Sequence, residues 1–453
     1  MTRILTADST TGLSRRKFLS TLGGAAMLAR FGALNALAQT TVNDYKALVC
    51  IFLYGGNDSN NMIVPLGNGY TAYQNSRLSL AIPANQLLPV STTSGAGFGL
   101  HPALTDLHPL WAQGRLAAVA NVGMLVRPTT RAQYLAGSVP VPTNLFSHSD
   151  QQLQWQSASP QATSLTGWCG RVADRIQGMN APSVFPAGVA VGGNSPQLVG
   201  ATTNQTTVSE GAALLGNDGS PLATLKLNAL QEMLQFDSGL AVYQAASQTM
   251  KDALAVVQLL DGALRGAPPL TTPFPSTGLG VQLAQVARII QVRSALGMRR
   301  QIFFISQGGY DTHQPQAGIH YGLMSELGMA MSSFNNALDS LGVAGQVSTF
   351  TESEFSRTLM PNTSAGTDHA WGGHCLVMGG SVAGANLYGT FPTLAVGGPD
   401  DAGTRGSWIP TTSTDQYGAT MAQWFGVSPA DLGTVFPNLA NFTTKTLPFL
   451  PAT

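Results

Sequence analysis

The chain has 453 residues, 44% of them hydrophobic and only 10% charged, with 22 basic residues balancing 22 acidic ones. That neutrality argues against nucleic acid or an anionic membrane as main partner, since both select a basic face. With 51 glycines and so few charges, the sequence describes a large buried fold with many tight loops, in which each placed carboxylate carries weight.

Residues 1–38 read as a targeting signal and are set aside from the fold. Ser14-Arg15-Arg16-Lys17-Phe18-Leu19 carries the twin arginines of a Tat signal, and Ala36-Leu37-Ala38 supplies an Ala-x-Ala cleavage site. The weakly apolar segment between them is interrupted by Arg30 and is short for a bilayer span. The mature chain is expected to be periplasmic or extracellular, exported by the Tat machinery, without an integral membrane span.

Lys46 to Tyr54 (KALVCIFLY) is a continuous apolar run closing on Gly55-Gly56, the pattern of a parallel strand buried on both faces. Leu104, Leu107 and Trp111 predict a helix over 102–113, and residues 115–122 a second strand. Residues 190–280 turn Gly/Ser/Thr/Asn-rich, then helical around 222–240 and 250–264, and are expected to form an inserted helical cap. Leu283, Val286, Ile290 and Val292 give an amphipathic helix; residues 301–307 a third strand closing on Gly308-Gly309. Residues 323–338 are helical, 346–352 a fourth strand and 375–378 a short fifth. Strands alternating with helices predict one α/β domain over 39–453, a doubly wound sheet whose sites lie beyond the carboxyl ends of the strands. Cys50, Cys169 and Cys375 are too few for a disulfide framework, and their apolar neighbours mark them as small buried hydrophobes.

The chemistry concentrates in three glycine-flanked acidic corners, each expected to follow a strand: Asp58 after Gly55-Gly56, Asp311-Thr312-His313 after Gly308-Gly309, and Asp368, His369 and His374 within residues 366–374 (GTDHAWGGH). In a chain with 7 histidines, that density of carboxylate and imidazole suits zinc, with manganese or calcium as alternatives. Ordinary readings exist for each: an Asn-Asp turn at Asp58, a helix cap at Asp311, a turn with a surface histidine at 368–369. Glu354 is a candidate ligand or ligand support, and Arg357 a candidate clamp for an anionic group. Ser147 and Ser149 flank His148 in a polar turn before a helix and are candidate nucleophiles, with a plain helix cap as the alternative. His101, His108 and His320 read as structural. The phosphate-loop, H-E-x-x-H and G-x-S-x-G patterns are absent from the sequence.

The set GGND, TGWCGR (166–171), GGYDTH, SEFSRT (353–358), GTDHAWGG and LYGTFP (387–392), behind a Tat signal, resembles the DUF1501 family across the whole mature chain. The resemblance implies an alkaline phosphatase and sulfatase-like scaffold, a sheet sandwiched by helices, with one or two divalent ions. It would place Asp58, Asp368 and His369 on one ion near a nucleophile, and Asp311, His313 and His374 on a second, about 4 Å away. Asp311 and His313 are closer in sequence than that superfamily's pattern, no nucleophile is evident, and no Cys-x-Pro-x-Arg formylglycine motif is present. The implied activity is hydrolysis of a small anionic ester, phosphate before sulfate. The alternative is an exported binding or assembly protein that keeps the scaffold without turnover.

Overall fold

The computed structural model describes residues 44–161, 163–209, 220–236 and 239–452; the expected export signal lies outside the described residues. In chain order the strands are β1 (Lys46–Leu53), β2 (Ile63–Pro65), β3 (Leu88–Ser91), β4 (Gly97–Leu100), β5 (Leu116–Gly123), β6 (Gly188–Val191), β7 (Gln205–Val208), β8 (Arg300–Gln307), β9 (Val347–Glu352), β10 (Gly373–Met378), β11 (Leu387–Tyr388) and β12 (Thr412–Ser413). β2, β4 and β3 form a small antiparallel sheet. The others form one large sheet in the order β11-β5-β10-β9-β1-β8-β6-β7, with β12 also on β5.

The apolar run at residues 46–54 becomes the sheet's middle. Every residue of β1 after Lys46 is buried, and so is every residue of β5. A strand with no polar face requires cover on both sides, which makes this an α/β layer structure. The helix Thr414–Phe425, nearly all buried and opened by a Ser413–Gln416 capping box, packs against β1 and β5. Helices Gly278–Gln291 and Gln316–Ser340 pack on each other, the former also against β8. The helix expected over 102–113 is regular only at His108–Ala112; Leu104, Leu107 and Trp111 are buried as their spacing implies.

The sheet is mixed, not purely parallel. β1 runs parallel to β8 from Lys46↔Arg300 to Leu53↔Gln307, and to β9 from Ala47↔Val347 to Phe52↔Glu352. β10 alone is reversed, antiparallel to both β5 and β9. This corrects the expectation that every acidic corner follows a strand: residues 366–372 precede β10, and Gly373 and His374 open it. Because β10 is reversed, its start lies at the edge where β1, β8 and β9 end. All three corners therefore meet at one rim, by a different route from the one the sequence implies.

Part of the stretch expected as a cap belongs to the sheet, since β6 and β7 pair in parallel with each other and β6 with β8. Helices Pro221–Met233 and Ala241–Gly266 follow. Among the described residues, no helix is long and apolar enough to cross a membrane. The three cysteines are free and buried.

Glu352, the last residue of β9, is buried against Cys50 and Gln197, whose amide donates to it at 3.0 Å. Burial raises its carboxyl from the usual 4.5 to about 8. A folded-state pKa above the unfolded value means that the contribution is intact below pH 4.5 and is lost as pH rises towards 8. Melting temperatures across that window should fall in the wild type and fall much less in Glu352→Gln.

Candidate metal centre

At the end of β1, Gly55 and Gly56 take φ of +115° and +80°, which only glycine adopts without strain. A Cβ on Gly55 would collide with the backbone nitrogen of Asp311, so the first corner lies directly against the second. Glu354, just past β9, is fully buried and joins the corner to a helix. One of its oxygens accepts from the Gly55 N–H at 2.9 Å, Gln152 Nε2 at 3.0 Å and His148 Nδ1 at 2.8 Å.

Arg357 ties the corners together. Its Nε donates to the Gly56 carbonyl at 2.9 Å and Nη1 to the Thr367 carbonyl at 3.2 Å. Nη2 donates to the Gly55 carbonyl and, at 2.5 Å, to Asp311 Oδ1, while Nη1 lies 3.4 Å from His313 Nε2. Five guanidinium N–H groups meet five acceptors. The side chain is fully buried, with no donor left for a substrate, so Arg357 serves as a fastening and not as the expected clamp.

Three imidazoles face the carboxylate that Arg357 holds. Asp311 Oδ1 is 3.4 Å from His148 Nε2, 3.0 Å from His313 Nε2 and 3.4 Å from His369 Nε2. Each ring has its Nδ1 against an acceptor: Glu354 for His148, the Phe146 carbonyl at 2.7 Å for His369, and Asp368 Oδ1 at 3.2 Å for His313. With Nδ1 carrying the proton, each Nε2 presents a lone pair. The Nε2 atoms of His313 and His369 then face each other at 2.9 Å, an approach relieved by a cation beside them or by a proton on one of the two. His148 Nε2 is buried without a hydrogen-bond partner.

The electrostatics agree with that geometry. Burial would raise the Asp311 carboxyl, but the hydrogen bond and charge of Arg357, with His148 and His313, bring it down to about 2. The Glu354 bond raises His148, whereas burial and the nearby Arg357 charge lower His369. Asp311 and His313 are 49% and 42% exposed, so the cluster opens to solvent above a sealed floor.

Among the residues expected to bind metal, the structure brings Asp311, His313 and His369 together. Asp368 stands behind His313, paired with Arg405, and Glu354 stands behind His148. Asp58 is elsewhere: its buried carboxylate is held by Arg77 and Gln316. His374 points into the interior, stacked on Phe391 with centroids 4.5 Å apart, its Nδ1 accepting from the Asn121 N–H. Burial takes its pKa down to about 3. Asp58 and His374, which the resemblance implies as ligands, thus have their contacts outside this cluster. Ser147 donates to Asp150 at 2.6 Å and lies 3.2 Å from Ser149. His101, His108 and His320 hold backbone or side-chain partners outside the cluster.

The residue that sequence reasoning missed is His148. A ring nitrogen of His148, one of His369 and an Asp311 oxygen lie within 4.8 Å of one another. The signal was present: a histidine inside the polar turn Ser147-His148-Ser149 opening a helix, in a chain with 7 histidines.

Fold and site define an α/β protein with a histidine–carboxylate cluster at the carboxyl rim of its sheet. The chain belongs to the DUF1501 family, described as a protein of unknown function, whose sequence model matches residues 45–402. No curated protein matches it. Among solved structures it is similar to the lipoteichoic acid synthase LtaP from Listeria monocytogenes (8% identity, 90% of this chain and 81% of that one, TM-score 0.33). It is also similar to the PsFucS1 sulfatase from Pseudoalteromonas sp. (10%, 80% and 68%, TM-score 0.31). A third is alkaline phosphatase from the Antarctic bacterium TAB5 (12%, 74% and 90%, TM-score 0.26). All are distant likenesses.

Gly55→Ala tests how tightly the first two corners are joined. It should cost roughly 1–3 kcal/mol by chemical denaturation, through backbone strain and the clash with Asp311.

Proposed function

We propose that the chain is an exported, metal-dependent hydrolase of phosphate or related esters, Tat-delivered to the periplasm or beyond. The observation that carries this reading is the convergence of imidazole lone pairs on one Asp311 oxygen. The 3.4 Å separations from His148 and His369 to that oxygen match the edge of a tetrahedral site with bonds of about 2.1 Å. The donor set, two or three imidazoles and a carboxylate, suits zinc first, and manganese next; the oxygen-poor set makes calcium the weakest fit.

His148, His369 and Asp311 would hold the ion, with His313 at its side. A divalent ion there supplies Lewis acidity towards an ester oxygen and positive charge against the developing negative charge. The rest is work for the chain's own groups. Glu354, the Phe146 carbonyl and Asp368 fix the tautomers and aim the three rings. Arg357 fixes the rotamer of Asp311. Ser147 adjoins the His148 ligand, and Asp150, which accepts its hydroxyl proton at 2.6 Å, would receive that proton if Ser147 attacks. Ser149 is the neighbouring candidate, and water the third.

One observation favours the second reading, a binding protein without turnover: both hydroxyls beside the cluster are engaged with Asp150. Elemental analysis and an ester screen separate the two. The mature protein should carry at least one divalent ion per chain, and a His148→Ala, His369→Ala double variant should lose it. Hydrolysis of phosphomonoesters, phosphodiesters or sulfate esters with zinc or manganese should fall by at least about 100-fold in that variant, the scale of losing a metal's catalysis. Bound metal with no hydrolysis would select the binding protein; no bound metal would end the hydrolase reading.

A further inference from the structure

The charges around the cluster do not cancel once an ion is added. Asp368 and Arg405 form a pair of their own. What remains is Asp311, bound to the buried Arg357, and Glu354, bound to His148, with the imidazoles neutral as ligands must be. A dication and the Arg357 guanidinium together bring three positive charges against two carboxylates. One positive charge is left over, in a floor that is fully buried at Arg357 and Glu354. That surplus faces the solvent side, where Asp311 and His313 are half exposed.

We propose that the centre binds its divalent ion and a tetrahedral oxyanion as a coupled pair, with Arg357 as the source of the coupling. The inference rests on the metal reading above and deepens it. Arg357 cannot reach the anion, since each of its N–H groups is already engaged within the protein. It acts through Asp311: its 2.5 Å bond to Oδ1 withdraws charge from the very oxygen that the ion would use. The ion is thereby held less tightly on its own and keeps more of its charge for an anionic ligand on the open side. Linkage requires the effect to be mutual, so each ligand tightens the other by the same factor. A neutral ligand in that position would leave the surplus in place. The structure thus assigns the site to oxyanions, phosphate or sulfate, in preference to uncharged esters.

The test is calorimetric titration of the apo protein with manganese(II) at matched ionic strength, in chloride alone and with inorganic phosphate or sulfate added. An oxyanion should tighten manganese binding by on the order of tenfold, and should itself bind measurably only when manganese is present. No manganese binding in either buffer would overturn the metal reading itself. Equal affinity in both buffers would leave that reading standing and overturn the coupling. Arg357→Lys, which keeps the charge, should retain the gain. Arg357→Gln should bind manganese more tightly in chloride and lose most of the gain; a full gain in that variant would overturn the role given to Arg357. Should either variant fail to fold by circular dichroism, the wild-type titrations still decide the coupling.

Discussion

The centre depends on one buried guanidinium. Arg357 sits where the ends of β1, β8 and β9 and the start of β10 meet, and bonds to a group from each of the three corners. Two carbonyls come from Gly55 and Gly56, a carboxylate from Asp311 and a carbonyl from Thr367. Burying a cation costs several kcal/mol unless its hydrogen-bonding capacity is met. Here the groups that meet it are the loops that must be held together, so satisfying the charge and assembling the site are one requirement. The positive-φ glycines follow from it, because two carbonyls can turn onto one guanidinium only where the chain lacks a Cβ.

A second buried pair performs the analogous task beneath the rim. Arg77 binds the Asp58 carboxylate and also donates to Asn61 Oδ1 and the carbonyls of Thr358 and Leu359. One Asp58 oxygen, Oδ2, is thereby engaged within the protein. An acid directly after a central strand and two glycines looks like a ligand in sequence because that placement is where ligands occur. What decides its role is the partner, and Arg77, 19 residues further on, carries no mark of being that partner.

The same distinction sets how far the sequence could be read. The α/β class and the burial of β1 were legible because an unbroken apolar run admits little else, and the proximity of Asp311, His313 and His369 was legible because acidic and imidazole groups cluster beside glycines. The reversal of β10 was not, since a short apolar run carries no sign of its direction. The direction rests on pairing with Ala117 and Phe350, far away in the chain. His374 was misplaced for the same reason: two glycines after Trp371 permit several turns, and the structure takes the one that stacks the ring on Phe391. His148 was not legible as a candidate ligand because the carboxylate that orients its ring, Glu354, lies far off in sequence.

The histidines also show why ligand identity follows from the surroundings and not from residue type. His374 and His369 lie five residues apart and both titrate below the ordinary range, burial being the first cause in each. His374 is sealed against Phe391, and its Nδ1 accepts a backbone N–H, which fixes the proton on Nε2 and removes that atom as a ligand. His369 donates Nδ1 to the Phe146 carbonyl, which leaves Nε2 with a lone pair facing Asp311. One hydrogen bond of opposite sense separates a core residue from a candidate ligand. Carbonyl or carboxylate acceptors behind His148, His313 and His369 are therefore as much a part of the centre as the rings.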